Sequence, residues 1–159
     1  MRVLKNKNGI GTIEICVMIV IVCMLLSVFL VFAQSVNIVK QTKRNSRVVL
    51  DNYVMTDSIA IYNAIKQGSN TEETLDAEAY NASLAEFCTF VKTGNYYYNY
   101  DEDGNVQYYI SAPTLSFTNG KQLKISASYT VFVPIYFAGA KVGVAPVSIT
   151  VTSKLTEKQ

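Results

Sequence analysis

The 159-residue chain has no histidine. That absence removes imidazole as a general base, the Ser-His and Cys-His nucleophile pairs, and the usual zinc sites. Cysteine is nearly as scarce: Cys16 and Cys23 lie in an apolar run and Cys88 alone lies beyond it, so no disulfide can form within the soluble portion. Proline is missing before Pro113 and glycine between Gly11 and Gly68, so nothing in that stretch breaks a helix until about Gln67. Net charge is also lacking. The formal +2 rests on Arg2, Lys5 and Lys7; without them 11 bases face 12 acids, a balance of −1 that offers no electrostatic footprint for nucleic acid. With no imidazole and no nucleophile elbow, no catalytic residue is assigned, the chain is not expected to be an enzyme, and no cofactor or metal is expected.

What the chain does have is an uncharged apolar run from Ile15 to Ala33. At 1.5 Å per residue it extends about 28 Å, close to the hydrocarbon thickness of a bilayer. Ser27 is its one clearly polar side chain, and a serine hydroxyl can bond a carbonyl one turn back at little cost. A secretory signal would have a shorter core and a small-residue cleavage site, and Val31-Phe32-Ala33-Gln34 is a poor one. A single transmembrane helix is expected.

Beyond the run, Lys40, Lys43, Arg44 and Arg47 form a basic cluster, read either as a solvated helix face or as a contact for lipid headgroups. It leaves the positive-inside rule close to a tie. Leu50, Val54, Ile61 and Ile65 then recur as one stripe of an amphipathic helix, which Gly68 and Ser69 end. A second helix is expected to start at Asn70, with Glu73 completing a capping box, and to close at Gly94 with Tyr80, Leu84, Phe87 and Val91 as its stripe.

From Asn95 the apolar period becomes two. Val106, Tyr108, Ile110 and Ala112 alternate, as do Leu123 through Phe137 and Val147 through Ser153. Asp103-Gly104 and Asn119-Gly120 are hairpin dipeptides, Gly139 to Gly143 is a third turn, and Pro134 and Pro146 mark edges or bulges. The expected class is α+β: a long N-terminal helix, membrane-spanning then amphipathic, and a second helix packed on a four-stranded antiparallel sheet. The organisation is a basic leader at 1–9, a transmembrane helix at 10–34, an amphipathic continuation at 35–68, and a helix-plus-sheet portion at 69–159.

Lys5 to Glu14, Lys-Asn-Lys-Asn-Gly-Ile-Gly-Thr-Ile-Glu, adds a sharper signal: a basic leader ends in Gly9, and a carboxylate follows five residues later, just before the apolar run. This resembles the signal of type IV prepilins, and with the helix-then-sheet order the chain resembles TadE-like minor pilins and pseudopilins. The specific likeness covers Lys5 to Phe32; the rest agrees in shape only. Ile10 stands where many pilins have Phe, and there is no cysteine pair for a C-terminal disulfide.

The resemblance implies a pilin-like fold and cleavage between Gly9 and Ile10 by a prepilin peptidase, with Arg2, Lys5 and Lys7 holding the leader at the cytoplasmic face. Glu14 would pair with the new α-amino group of a neighbouring subunit and serve assembly; read alone, it is equally a carboxylate with its head in water at the interface. The implied partners are the peptidase, other pilin subunits, an inner-membrane assembly platform and membrane lipid. The implied location is the cell membrane, N-terminus cytoplasmic and C-terminal portion outside, with assembly into a surface filament. The other reading is an uncleaved single-pass anchor presenting a small binding domain.

Three further features carry bland and sharp readings. Asp101-Glu102-Asp103-Gly104-Asn105 departs from calcium-loop spacing and reads as a hairpin turn. Tyr96, Tyr97, Tyr98, Tyr100, Tyr108 and Tyr109 form either sheet core or an adhesive patch. Cys16 and Cys23, seven apart on one helix face, are small apolar filler or an intersubunit disulfide.

Overall fold

A computed structural model describes residues 8–67, 75–118, 123–137 and 140–155, and divides the chain into two units, Met1–Val36 and Asn37–Gln159. Helix α1 covers Asn8–Thr56. In the first unit its apolar side chains have nothing to pack against: Leu25, Phe29 and Phe32 are each 66% exposed. Ser27 donates to the Met24 carbonyl at 2.8 Å, so the one polar side chain of the run is satisfied within the helix. This is a helix long and apolar enough to cross a membrane.

In the second unit α1 supplies the inner stripe Thr42, Ser46, Val49, Leu50, Tyr53 and Val54, all buried. The uninterrupted helix expected to Gln67 is instead bent at Asp57, after which α2 runs Ser58–Lys66. Thr56 Oγ1 donates back to the Asn52 carbonyl at 3.0 Å, a contact that bends helices. The backbone ladder survives the bend, since Asp57 N–H reaches Tyr53 and Ile61 N–H reaches Asp57, both at 3.0 Å.

Helix α3 covers Ala77–Cys88. The Asn70–Glu73 capping box and the Gly68-Ser69 stop lie outside the described residues. The observed cap is Asp76, whose Oδ1 accepts from Glu78 N–H at 2.9 Å and Ala79 N–H at 3.0 Å. The helix does not run to Gly94. It ends at Thr89, which adopts a left-handed φ of 53° while Phe90 N–H closes on the Ala85 carbonyl at 2.8 Å. Consequently Val91 belongs to a strand and Gly94, at φ 60°, to a turn. A β-branched residue in the left-handed region costs about 1–2 kcal/mol. Thr89→Gly is therefore expected to raise stability by about 1 kcal/mol, read as a higher Tm of the full chain in detergent.

The sheet has six strands rather than four: β1 Val91–Thr93, β2 Tyr96–Tyr100, β3 Val106–Ser111, β4 Thr114–Thr118, β5 Leu123–Phe137 and β6 Ala140–Leu155. All neighbours are antiparallel. Part of the difference is the short β1. The rest is a strand split in two. β3 and β4 lie along the same edge of β5, but from Ile110↔Val131 to Thr114↔Ser128 one side advances four residues and the other three. One extra residue is thus bulged out around Ala112-Pro113. Proline fits there because it has no N–H to lose. Thr130 N–H, opposite the bulge, donates to Ser111 Oγ at 3.0 Å instead of to backbone. Ala112, expected on the inner face, is exposed for the same reason.

Along its other edge β5 pairs with β6 from Leu123↔Leu155 to Phe137↔Ala140. The turn expected at Gly139 to Gly143 is therefore shorter, with Gly143 already paired to Ile135. Pro134 lies past the last β3 pair, Tyr109↔Phe132, and Pro146 lies on β6, which has no second strand neighbour among the described residues. The Asp103-Gly104 hairpin forms as expected, with Gly104 at φ 80°. The Asn119-Gly120 turn lies outside the described residues.

The alternation of β5 places Ile125, Ala127, Tyr129, Val131 and Val133 on the inner face, where they meet Ile110, Ile149 and Val151 of the sheet and Leu50, Ile61, Tyr80 and Leu84 of the helices. Phe87 and Val91, expected in the second helix's apolar stripe, are exposed; Cys88 and Phe90 are buried in their stead. Tyr80, Leu84 and Cys88, four residues apart, form the inward stripe of α3 and leave Phe87 to one side of it, while Val91 lies beyond the helix end in β1.

Candidate functional site

Gly9 and Ile10 lie in the first turn of α1, and Glu14 follows one turn later. Arg2, Lys5 and Lys7 lie outside the described residues. The first four N–H groups of a helix have no intrahelical acceptor, so opening the chain at Gly9–Ile10 breaks few bonds. Glu14 is exposed and makes no ion pair among the described residues. Its carboxylate thus stands at the mouth of an uncharged apolar run without a partner among the described residues, a position that is costly in lipid unless another group supplies the charge.

The tyrosine cluster divides by strand parity. Tyr97 and Tyr108 face the helices and are buried. Tyr96, Tyr98, Tyr100 and Tyr109 face outward with Phe132. Across β2, β3 and β5 the rings of Tyr98, Tyr109 and Phe132 stack at centroid distances of 5.0 and 4.9 Å. Tyr96 meets Tyr109 edge-on at 5.6 Å. Rings that stack on one another spend their faces on themselves. What the row presents outward is ring edge and phenol hydroxyl, with Ser and Thr hydroxyls continuing along the same face: Ser126 and Ser128 of β5 pair with Thr152 and Thr150 of β6 at 3.1 Å. This outer face is a polar-edged contact surface, and pairing register was the only signal that could have separated it from the core tyrosines.

Inside, two tyrosine hydroxyls converge on α1. Tyr80 OH lies 2.7 Å from Ser46 Oγ, and Tyr129 OH donates to the Thr42 carbonyl at 3.4 Å. Burial pushes Tyr80 up to about 12 and Tyr129 higher still, only partly offset by hydrogen bonds to Ser46. A pKa raised above its unfolded value near 10 contributes stability that is complete below pH 10 and lost as pH rises through the folded value. The second unit is therefore expected to lose stability between pH 10 and about pH 12. Tyr80→Phe is expected to flatten that limb of the Tm–pH profile, measured by circular dichroism on the full chain in detergent. Cys88 is buried and its thiol is likewise pushed up by burial, which makes it a poor nucleophile.

Asp101 does not offer a cation its carboxylate. Oδ1 accepts from Asp103 N–H at 3.1 Å and Asn105 N–H at 2.7 Å, closing its own hairpin. Among the described residues no group of three or more Cys, Asp or Glu is placed to hold a metal ion.

A cleft of about 640 Å³ lies between the end of α1 and α3. Val49 and Tyr53 form its floor, Phe87 one wall, and Asp57 and Glu86 its acidic rim. Sequence reasoning missed it, because it exists only where two helices splay. The one available hint was Phe87 on an otherwise polar turn.

No family model, curated protein or solved structure matches the chain.

Proposed function

We propose that the chain is a pilin-like structural subunit of a type IV filament of the tight-adherence kind, or of a related secretion or conjugation filament. A prepilin peptidase cuts it after Gly9, and Glu14 then serves assembly. The observation that carries this reading is the spacing of Gly9 and Glu14 just before a charge-free apolar run most of whose large side chains are exposed. Lipid covers that helix before assembly, and neighbouring helices cover it afterwards. The partners under this reading are the peptidase, further subunits, an inner-membrane assembly platform and lipid. The N-terminus lies in the cytoplasm and the α+β unit outside.

The outward tyrosine row supports a second reading, an uncleaved single-pass anchor that presents the sheet face to a ligand. Intact mass of the protein from native membranes separates the two. A species lacking residues 1–9 is the expected result. A species retaining them, in cells that carry a prepilin peptidase, overturns the filament reading in favour of the anchor.

A further inference from the structure

The cleft between α1 and α3 has an apolar floor, an acidic rim and, among the described residues, no basic lining residue. Its wall residue Phe87 is 53% exposed, a large aromatic without enough of its own chain to cover it. Elsewhere on α1, Lys40, Lys43, Arg44 and Arg47 are all exposed. Only Arg47 has an acidic neighbour among the described residues, Asp51 at 3.9 Å. The spacing of these four at i, i+3, i+4 and i+7 lines them up on one helix face. At about 100° per residue that face points about 180° away from Val49, Asn52, Tyr53 and Thr56, the α1 side of the cleft.

We propose that the cleft receives the basic stripe of a second copy of this chain. Lysine and arginine suit such a site because their stems cover apolar surface while their heads reach a charged rim. In this contact the stems of Lys43 and Arg44 lie over Val49, Tyr53 and Phe87, and their heads meet Asp57 and Glu86. The two surfaces lie on opposite sides of one rigid helix, so a chain cannot fill its own cleft. A two-fold dimer cannot satisfy both surfaces either, because an isologous contact needs them on one face. Each copy therefore offers its stripe to one neighbour and its cleft to another, a head-to-tail contact that links copies in series. This deepens the filament reading and rests on it for its biological setting, though not for its chemistry.

The test places a photo-crosslinking amino acid at exposed Ser83 in the cleft wall and maps the products in native membranes by mass spectrometry. The expected product joins two copies, with the crosslink in residues 40–47. Crosslinks to lipid or to another protein, or none, overturn the proposal. Charge reversal provides the second arm. Lys43→Glu with Arg44→Glu, or Glu86→Arg alone, is expected to cut the crosslink yield about tenfold, the effect of an interfacial charge pair near the low end of its range. All three substitutions together are expected to restore part of it, since Glu86→Arg reverses one of the two rim acids and Asp57 keeps its charge. Equal yields in all variants overturn the proposal, with an unchanged Tm showing that each still folds. Failure of the two readings can be told apart. A chain that loses residues 1–9 but gives no such crosslink retains the filament reading without this contact. A chain that keeps its leader and still crosslinks retains the contact without the filament.

Discussion

Gly9→Ala is expected to leave residues 1–9 on the protein, seen as an intact-mass species that keeps the leader. Two effects act in the same direction. A Cβ beside the scissile bond obstructs a protease that approaches bare backbone. Alanine also favours the helical state over glycine by about 1 kcal/mol, roughly fivefold in the population of opened chain. The second effect applies because Gly9 lies within α1, so the bond must leave the helix to be cut. Glu14→Ala should act later and differently. It lies one turn beyond the cut on the exposed helix, so processing is expected to be normal while assembly is lost. Glu14→Gln separates charge from shape: if the carboxylate pairs with a neighbour's α-amino group, Gln fails as Ala does. Filaments of normal number from all three variants would refute both roles.

The largest expected loss of stability comes from Leu50→Ala. Leu50 is 0% exposed and sits on the inner stripe of α1, next to Val49, Tyr53 and Val54. The neighbouring helix and sheet residues hold it on every side, so little collapse can fill the hole. Buried Leu→Ala changes of this kind cost about 3 kcal/mol. For a unit of this size the shift in Tm is about 10 °C. Leu30→Ala is the matched control. It makes the same chemical change on the same helix, but its side chain is exposed in the first unit. It should leave the melting of the second unit unchanged. A Leu50→Ala melt within about 2 °C of wild type would mean that α1 is not packed against the sheet as described.

How much of this could be read beforehand depends on which interactions decide each feature. β5 was legible to the residue, Leu123–Phe137, because apolar residues recur at every second position over fifteen residues and one face is buried from Ile125 to Val133. The inner helix positions Leu50, Val54 and Ile61 were legible for the corresponding reason, a 3.6-residue repeat. The Asp103-Gly104 hairpin followed from local turn chemistry alone.

The misses share a different cause. A helix was expected to continue to Gly94, yet Thr89 ends it, because β1 must leave in time to pair with β2. Nothing in the local sequence marks Thr as a left-handed cap. The strand expected through Ala112 breaks at a bulge, because Ser111 can stand in for a backbone acceptor opposite Thr130. At the bend at Asp57, Thr56 bonds back to the Asn52 carbonyl, a contact that often accompanies helix bends, but Thr42 makes the same bond in straight helix, so the local sequence does not mark the place.

The candidate sites divide along the same line. Gly9, Ile10 and Glu14 are a linear signal, so chain order alone carries it, and tertiary packing adds only that Glu14 has no ion-pair partner among the described residues. The uncharged run from Ile15 to Ala33 likewise needs no fold to be recognised, since length and apolarity are what a bilayer selects. The separation of Tyr97 and Tyr108 from Tyr96, Tyr98, Tyr100 and Tyr109 was decided by strand register, which turns adjacent residues to opposite faces. The cleft with Phe87 at its wall was decided by where two helices diverge. Sequence by itself determined the features set by a single segment against solvent or lipid; the tertiary structure decided every feature that requires two segments to meet, because the free energy of such a contact belongs to neither segment alone.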